Sequence, residues 1–373
     1  MKTKISAVTA LHLPGTRYPW VFLRIETESG HDGIGQVSSG PNSPVVAAAA
    51  SRLGPLLVGE EPSRIEYLWY KLYTSFSSLG SLGFVSALIS GVDIALWDLR
   101  GKLLELPVYE LLGGQYRDKL LLYSNGWFSG CKTADDFGRA AKKTVDEGHT
   151  ALKLDPFRQH KSDFRKHGAG YDAADEADAV EIVRAIRESV GSGVEILIDA
   201  HGRFDVPTAL RLANAIAPYR IGWFEEPVPP VNWDALAQFR ARSGVPVCVG
   251  ERLYTRWQFR PVLEQKLAEY IMPDVIRTGG ISELRRIATM AEAFFVPVSP
   301  HDATGPITLI AGAQTMMATA NFYRLEIAYS ELPHYNRALT PPLDVHDGYF
   351  HVSDRPGLGH DLNPEYVAQV IPF

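Results

Sequence analysis

The sequence predicts an α+β domain followed by an α/β barrel, and three observations carry that prediction. Strands precede helices over the first hundred-odd residues, which is an α+β signature. From about residue 119, short apolar runs alternate with amphipathic helical stretches. Three successive apolar runs then end in an acid, at Asp199, Glu225 and Glu251.

In the first region, 19–27 and 33–37 read as strands joined by a turn near Ser29-Gly30. Helical patterns follow at 46–53, 63–73 and 84–103. The last carries Val92, Ile94, Ala95, Leu96, Trp97, Leu99 and Leu103, which predicts a helix buried on most of its surface. In the second region the candidate strands are 120–126, 151–156, 195–200, 221–226, 246–251, 270–275, 296–300 and 322–328. Helices are expected at 134–148, 174–191, 206–218, 232–243, 256–267, 281–294 and 306–320. This alternation implies a parallel sheet closed into a barrel, although a doubly wound open sheet uses the same local units. The tail, rich in Pro, Asp and Gly, lacks the rhythm and is expected to return to the first domain. The predicted organisation is therefore an α+β domain over 1–117, completed by 340–373, and a barrel over 118–339. A polar excursion from Arg158 to Asp172 reads either as a functional loop or as a solvated insertion.

Composition narrows the class. The chain has 373 residues, 46% hydrophobic and 21% charged, enough for a large core with a second domain. A formal net charge of -6 and a pI of about 6.0 leave no global basic field for nucleic acid. Met1 to Gly15 has no sustained apolar run, so no secretory signal is expected. No stretch approaches the roughly 20 apolar residues that span a bilayer, so no membrane partner is expected either. Cys131 and Cys248 make no framework or metal-ligand pattern, and a reducing cytoplasm is the expected compartment.

The strand ends carry the chemistry. Side chains there should sit at the carboxyl-end mouth of a barrel, where active sites form. Asp199, Glu225 and Glu251 would repel one another unless a cation lay between them, and hard oxygen donors suit Mg²⁺. A lone strand-end acid would more simply be a helix cap; three in succession point to a metal. The sixth and seventh strands end in Asp274 and His301, so Asp274 can accept a hydrogen bond from His301 and raise its basicity. His201 shares a face with Asp199 by the period of two and can either ligate or donate a proton. Lys153 and Asp155 share a face at the end of the second strand, and Glu326 ends the eighth. Lys153 and Glu326 are candidates to hold a substrate carboxylate, with Asp155, Arg17, Trp20 and Tyr123 as further candidate contacts.

These residues resemble the enolase superfamily, in its mandelate racemase-like branch, over essentially the whole chain. Val92-Asp-Ile-Ala-Leu-Trp-Asp-Leu-Arg-Gly-Lys102 and Leu106-Pro-Val-Tyr-Glu-Leu-Leu-Gly-Gly114 are similar to that family's signature. Asp199, Glu225 and Glu251 resemble its magnesium triad, Asp274–His301 its base dyad, and Glu326 the acid on its last strand. The resemblance implies an α+β capping domain on a modified TIM barrel, (β/α)7β, with a His base and Mg²⁺ stabilising an ene-diolate. Where racemases of the family have Lys-x-Lys, this chain has Lys153-Leu-Asp155, which argues against a two-base racemase. Asp199-Ala-His201 and Gly250-Glu-Arg-Leu-Tyr-Thr-Arg256 instead resemble sugar-acid dehydratases of the galactonate and gluconate type. The reaction so implied takes the C2 proton of an aldonate or aldarate to His301 and eliminates the 3-hydroxyl with His201 as acid. An epimerase, racemase or cycloisomerase on the same scaffold is the alternative, and a non-catalytic sugar-acid-binding protein a more distant one. The resemblance also implies a homo-oligomer.

Overall fold

The structure, a computed structural model, describes residues 3–15, 19–40, 42–159 and 171–371. Arg17 and most of the 158–172 excursion lie outside the described residues.

An antiparallel sheet opens the chain, in the order β1 (Ile5–Leu13), β2 (Trp20–Thr27) and β3 (Asp32–Ser39). The sequence reading missed β1. Its run Ile-Ser-Ala-Val-Thr-Ala-Leu-His-Leu alternates weakly, and it becomes a strand by pairing with β2 along its whole length. The helices α1 (Ser43–Ala50), α2 (Gly54–Leu57), α3 (Ile65–Ser75), α4 (Phe84–Leu104) and α5 (Val108–Leu111) follow. Ile25, Val37, Leu68, Trp69 and Leu96 form the core between sheet and helices. α4 lies so close on β3 that a Cβ at Gly33 would stand 2.1 Å from the Ala95 carbonyl oxygen, and one at Gly35 1.9 Å from that of Gly91.

The barrel then alternates strand and helix. Its elements are β4 (Leu120–Asn125), α6 (Ala134–Asp146), β5 (Ala151–Leu154), α7 (Ala173–Val190), β6 (Glu195–Asp199) and α8 (Val206–Ile216). These are followed by β7 (Trp223–Glu225), α9 (Trp233–Arg242), β8 (Val247–Val249), α10 (Thr255–Glu264) and β9 (Tyr270–Ile271). The last are α11 (Val275–Thr278), α12 (Ile281–Glu292), α13 (Pro306–Met317) and β10 (Leu325–Ala328). Asp172 caps α7 through the N–H groups of Ala174 and Asp175, and Thr133 caps α6 through Asp136, so each helix start is written locally.

β4 to β9 pair in parallel in chain order, and β10 pairs in parallel with β4. Single parallel bridges from Ile271 to Val298 and from Val298 to Phe322 close the circuit, which excludes the open sheet. The expected seventh strand, 296–300, shrinks to that one bridging residue. Pro297 and Pro300 on either side of it have no N–H to give a ladder. Tyr123, Ala151, Leu197, Trp223, Cys248 and Met272 form an inner cluster of the barrel.

The tail serves both halves. Its hairpin of 344–346 and 349–351 adds antiparallel to the start of β4. Further on, Leu358 N–H donates to Asp98 of α4 at 2.8 Å, and Ile371 N–H donates to the His12 carbonyl at 2.7 Å. α4 also grips α11 and the start of α12, which follow β9. Asp93 accepts from the Ser282 backbone and hydroxyl, and Ser86 donates to the Arg277 carbonyl. Among the described residues, no helix is long and apolar enough to cross a membrane.

Candidate active site

β6, β7 and β8 carry three acids to one place. Asp199 and Glu225 are the last residues of their strands and are register partners, and Glu251 follows β8 by two residues. One oxygen from each lies within 4.8 Å of the others. All three are buried. Burial raises the Asp199 carboxyl, and burial with repulsion from Asp199 pushes Glu225 far above the ordinary range. At Glu251 burial acts in the same sense, but the charges of His301 and Arg252 outweigh it and hold the group well below its usual value. Such a cluster is stable as an anion only with positive charge among it. Its donors are all carboxylate oxygens, which fits a hard divalent cation. The neighbouring Glu226 turns away, taking Arg252 at 2.8 Å.

Two imidazoles flank the cluster. On the Glu251 side, His301 Nδ1 donates to Asp274 Oδ2 at 2.8 Å, and its Nε2 lies 3.1 Å from Glu251 Oε2. Asp274 is itself fixed, because its other oxygen accepts from Ile276 N–H at the start of α11. Burial disfavours the His301 cation, yet the charges of Glu326 and Glu251 and the bond to Asp274 lift the group well above its ordinary value. On the Asp199 side, His201 Nε2 stands 3.2 Å from Asp199 Oδ2.

Lys153 stands on β5, and its ammonium lies between Glu225 of β7 and Glu326 of β10. Its ammonium is 3.1 Å from Glu225 Oε1 and 2.8 Å from Glu326 Oε1, fully buried. Those two charges outweigh burial and keep the lysine protonated, while Lys153 and His301 hold Glu326 below the ordinary carboxylate range against the effect of burial.

Three expected substrate contacts need correction. Trp20 is 3% exposed and packs on Phe22, His334, Tyr335 and Tyr366, tying β2 to the C-terminal region. Tyr123 is fully buried, edge-on to Trp223, in the inner barrel cluster. Both rings have packing roles. Asp155 faces protein groups with both oxygens. Oδ1 accepts from Phe157 N–H at 3.0 Å, and Oδ2 lies 2.6 Å from Arg203 Nη2 and 2.9 Å from His201 Nδ1. Arg17 is outside the described residues.

Sequence reasoning missed Arg203 and Asn125, and gave no role to Arg252 although it stands in the Gly250–Arg256 run. Asn125 donates to Glu326 at 2.8 Å. It stands at a strand end like the acids, so the same rule would have found it; Arg203 had no such signal.

A capped parallel barrel with a buried carboxylate triad between two histidines defines the class of fold and site to which the chain belongs. Comparison with known proteins gives the family. Residues 136–366 match the model "Enolase C-terminal domain-like", and 5–113 match the mandelate racemase / muconate lactonizing enzyme N-terminal domain. The D-galactonate dehydratase of Ralstonia nicotianae is 36% identical, covering 98% of this chain and 94% of its own. The D-xylonate dehydratase of Haloferax volcanii is 33% identical, covering 94% and 85%. A crystal structure of an enolase superfamily member from Salmonella Typhimurium superposes with a TM-score of 0.94 at 29% identity, over 99% of this chain and 98% of that one. The chain belongs to the mandelate racemase/muconate lactonizing enzyme family of the enolase superfamily.

Proposed function

We propose that the chain is a hydro-lyase that dehydrates a sugar acid, an aldonate or aldarate, to a 2-keto-3-deoxy acid. The observation that carries this reading is the pair of histidines on opposite members of the triad, His301 beside Glu251 and His201 beside Asp199. Relatives named as D-galactonate, D-xylonate and D-gluconate dehydratases support it.

Asp199, Glu225 and Glu251 would hold Mg²⁺, which when bound polarises the substrate carboxylate and offsets the negative charge of the triad. His301, held by Asp274 through Nδ1, takes the C2 proton on Nε2 once the Glu251 charge that favours its cation is neutralised. His201 gives a proton to the departing 3-hydroxyl as the C3–O bond breaks, so water leaves and an enol remains. The enol takes a proton at C3 and becomes the ketone. Lys153 supplies charge to hold the substrate carboxylate, and Glu326, 2.8 Å from its ammonium, fixes that ammonium in place. With aspartate in place of lysine at 155, the second base that an epimerising exchange would use is absent from that strand.

The test is a panel of aldonates and aldarates with Mg²⁺, including D-galactonate, D-gluconate and D-xylonate, read by semicarbazide for a keto product. A keto product that disappears on chelation upholds the reading. An epimer or lactone without a ketone would replace it with the isomerase reading. Thermal stabilisation by a sugar acid without turnover would indicate a binding protein.

A further inference from the structure

We infer that Asp155 is a positioning residue for His201, forming with it and Arg203 a second histidine–carboxylate unit on the Asp199 side of the triad. The inference rests on the proposed role of His201 and adds what aims that side chain.

Four observations meet at this point. First, Asp155 is 4% exposed and its carboxylate plane is set by Phe157 N–H on one oxygen. Second, the other oxygen lies 2.9 Å from His201 Nδ1. The opposite nitrogen faces the triad, 3.2 Å from Asp199; a carboxylate can only accept, so for Asp155 to hold the ring Nδ1 must carry the hydrogen. Third, Arg203 completes the unit. It donates to the same Asp155 oxygen at 2.6 Å and is anchored by its own Nε on the Ala200 carbonyl at 3.1 Å. Fourth, the chain holds His201 in a left-handed conformation, φ 50, that residues with a side chain rarely adopt. Its N–H closes the turn on Asp199 Oδ1 at 2.8 Å. An unfavourable backbone kept beside a metal-binding cluster is the mark of a side chain whose direction matters.

On the other side of the site Asp274 holds His301 through the same nitrogen by a hydrogen bond at 2.8 Å, whereas Asp155 meets His201 Nδ1 as a close ion-pair contact at 2.9 Å. That contact accounts for aspartate at 155: a lysine there would place a second cation against Arg203 and offer His201 Nδ1 no acceptor. Asp155 acts through His201 and need not touch the substrate.

Two measurements decide the matter. In the full-length protein labelled with ¹⁵N-histidine, one Nδ1–H resonance should vanish in His201→Asn and shift or vanish in Asp155→Asn. A His201 whose Nδ1 carries no hydrogen, or whose signal ignores Asp155→Asn, would overturn the inference without any substrate. With the sugar acid of the panel that turns over, Asp155→Asn should lower kcat for dehydration on the order of 10- to 100-fold, the usual loss when an imidazole's orienting partner is removed. KM and exchange of the C2 proton with D₂O should stay near wild type. The double variant Asp155→Asn/His201→Asn should be no slower than His201→Asn alone, because the two act as one unit. Unchanged kcat, additive losses, or a parallel fall of exchange and dehydration would each refute the positioning role. Full dehydration by His201→Asn would instead bring down the reading of His201, and the resonance would still report whether Asp155 holds the ring.

Discussion

His301 and His201 meet the same kinds of neighbour, a triad carboxylate at Nε2 and an aspartate at Nδ1, yet the proposed chemistry needs opposite things of them. One takes a proton from carbon and the other delivers one to oxygen. Substitution should separate these tasks. His301→Asn is expected to abolish both dehydration and exchange of the C2 proton in D₂O, because it removes the group proposed to take that proton. His201→Asn is expected to lose dehydration by at least about 100-fold while keeping measurable exchange, since general acid catalysis contributes about 10²–10⁴-fold. Mass spectrometry of recovered substrate reads both. If His201→Asn dehydrates at the wild-type rate, the proton donor lies elsewhere.

At the scale of elements, the site depends on strands that are short but well placed. β7 and β8 have three residues each, enough to lift Glu225 to the triad and start the turn to Glu251. The close seating of α4 on β3 positions α11 and the start of α12, because Ser86 and Asp93 of α4 bind Arg277 and Ser282. Gly35→Ala would drive a methyl into the Gly91 carbonyl and force the helix away from the sheet. The expected cost is about 1–3 kcal/mol or more, the range for overpacking a tight contact, measured by urea unfolding. The same substitution at Gly54, where a Cβ meets nothing within 4 Å, should cost much less.

For the whole molecule, two kinds of buried charge set how stability responds to conditions. Burial raises the Asp93 carboxyl from 3.8 to about 7 at the contact between α4 and the start of α12. The unfolded chain therefore loses this proton first. The Asp93 contribution is fully present below 3.8 and is lost as pH rises towards about 7. The stability of wild type relative to Asp93→Asn should accordingly fall across that window and level off above it, as followed by unfolding at a series of pH values. A difference that does not change with pH would contradict the assignment. The triad gives the second response. Removing divalent ions should abolish activity and lower Tm, and Mg²⁺ should restore both, Tm rising with the logarithm of its excess over Kd and activity levelling off as the site fills. Glu225→Gln, with one charge fewer in the cluster, should depend less on added ion for Tm while remaining inactive.

The sequence alone determined the alternation of strand and helix and the acids at the strand ends, because both follow from local periodicity and from the period of two in a strand. It could also bring Asp274 towards His301, since neighbouring strands in a barrel end side by side. Tertiary structure alone decided the fate of Trp20 and Tyr123, whose types suit a binding wall and a core equally until burial separates them. β1 became legible only through its partner, and the seventh strand dwindled where prolines withheld their donors. Only the folded chain shows that Asp155 meets His201, because that contact depends on how β5 and β6 stand against each other and on a left-handed turn after Asp199. Local patterns state which groups are present at the mouth of the barrel. Their aim is set by stagger, turn geometry and packing, which are properties of distant segments brought together.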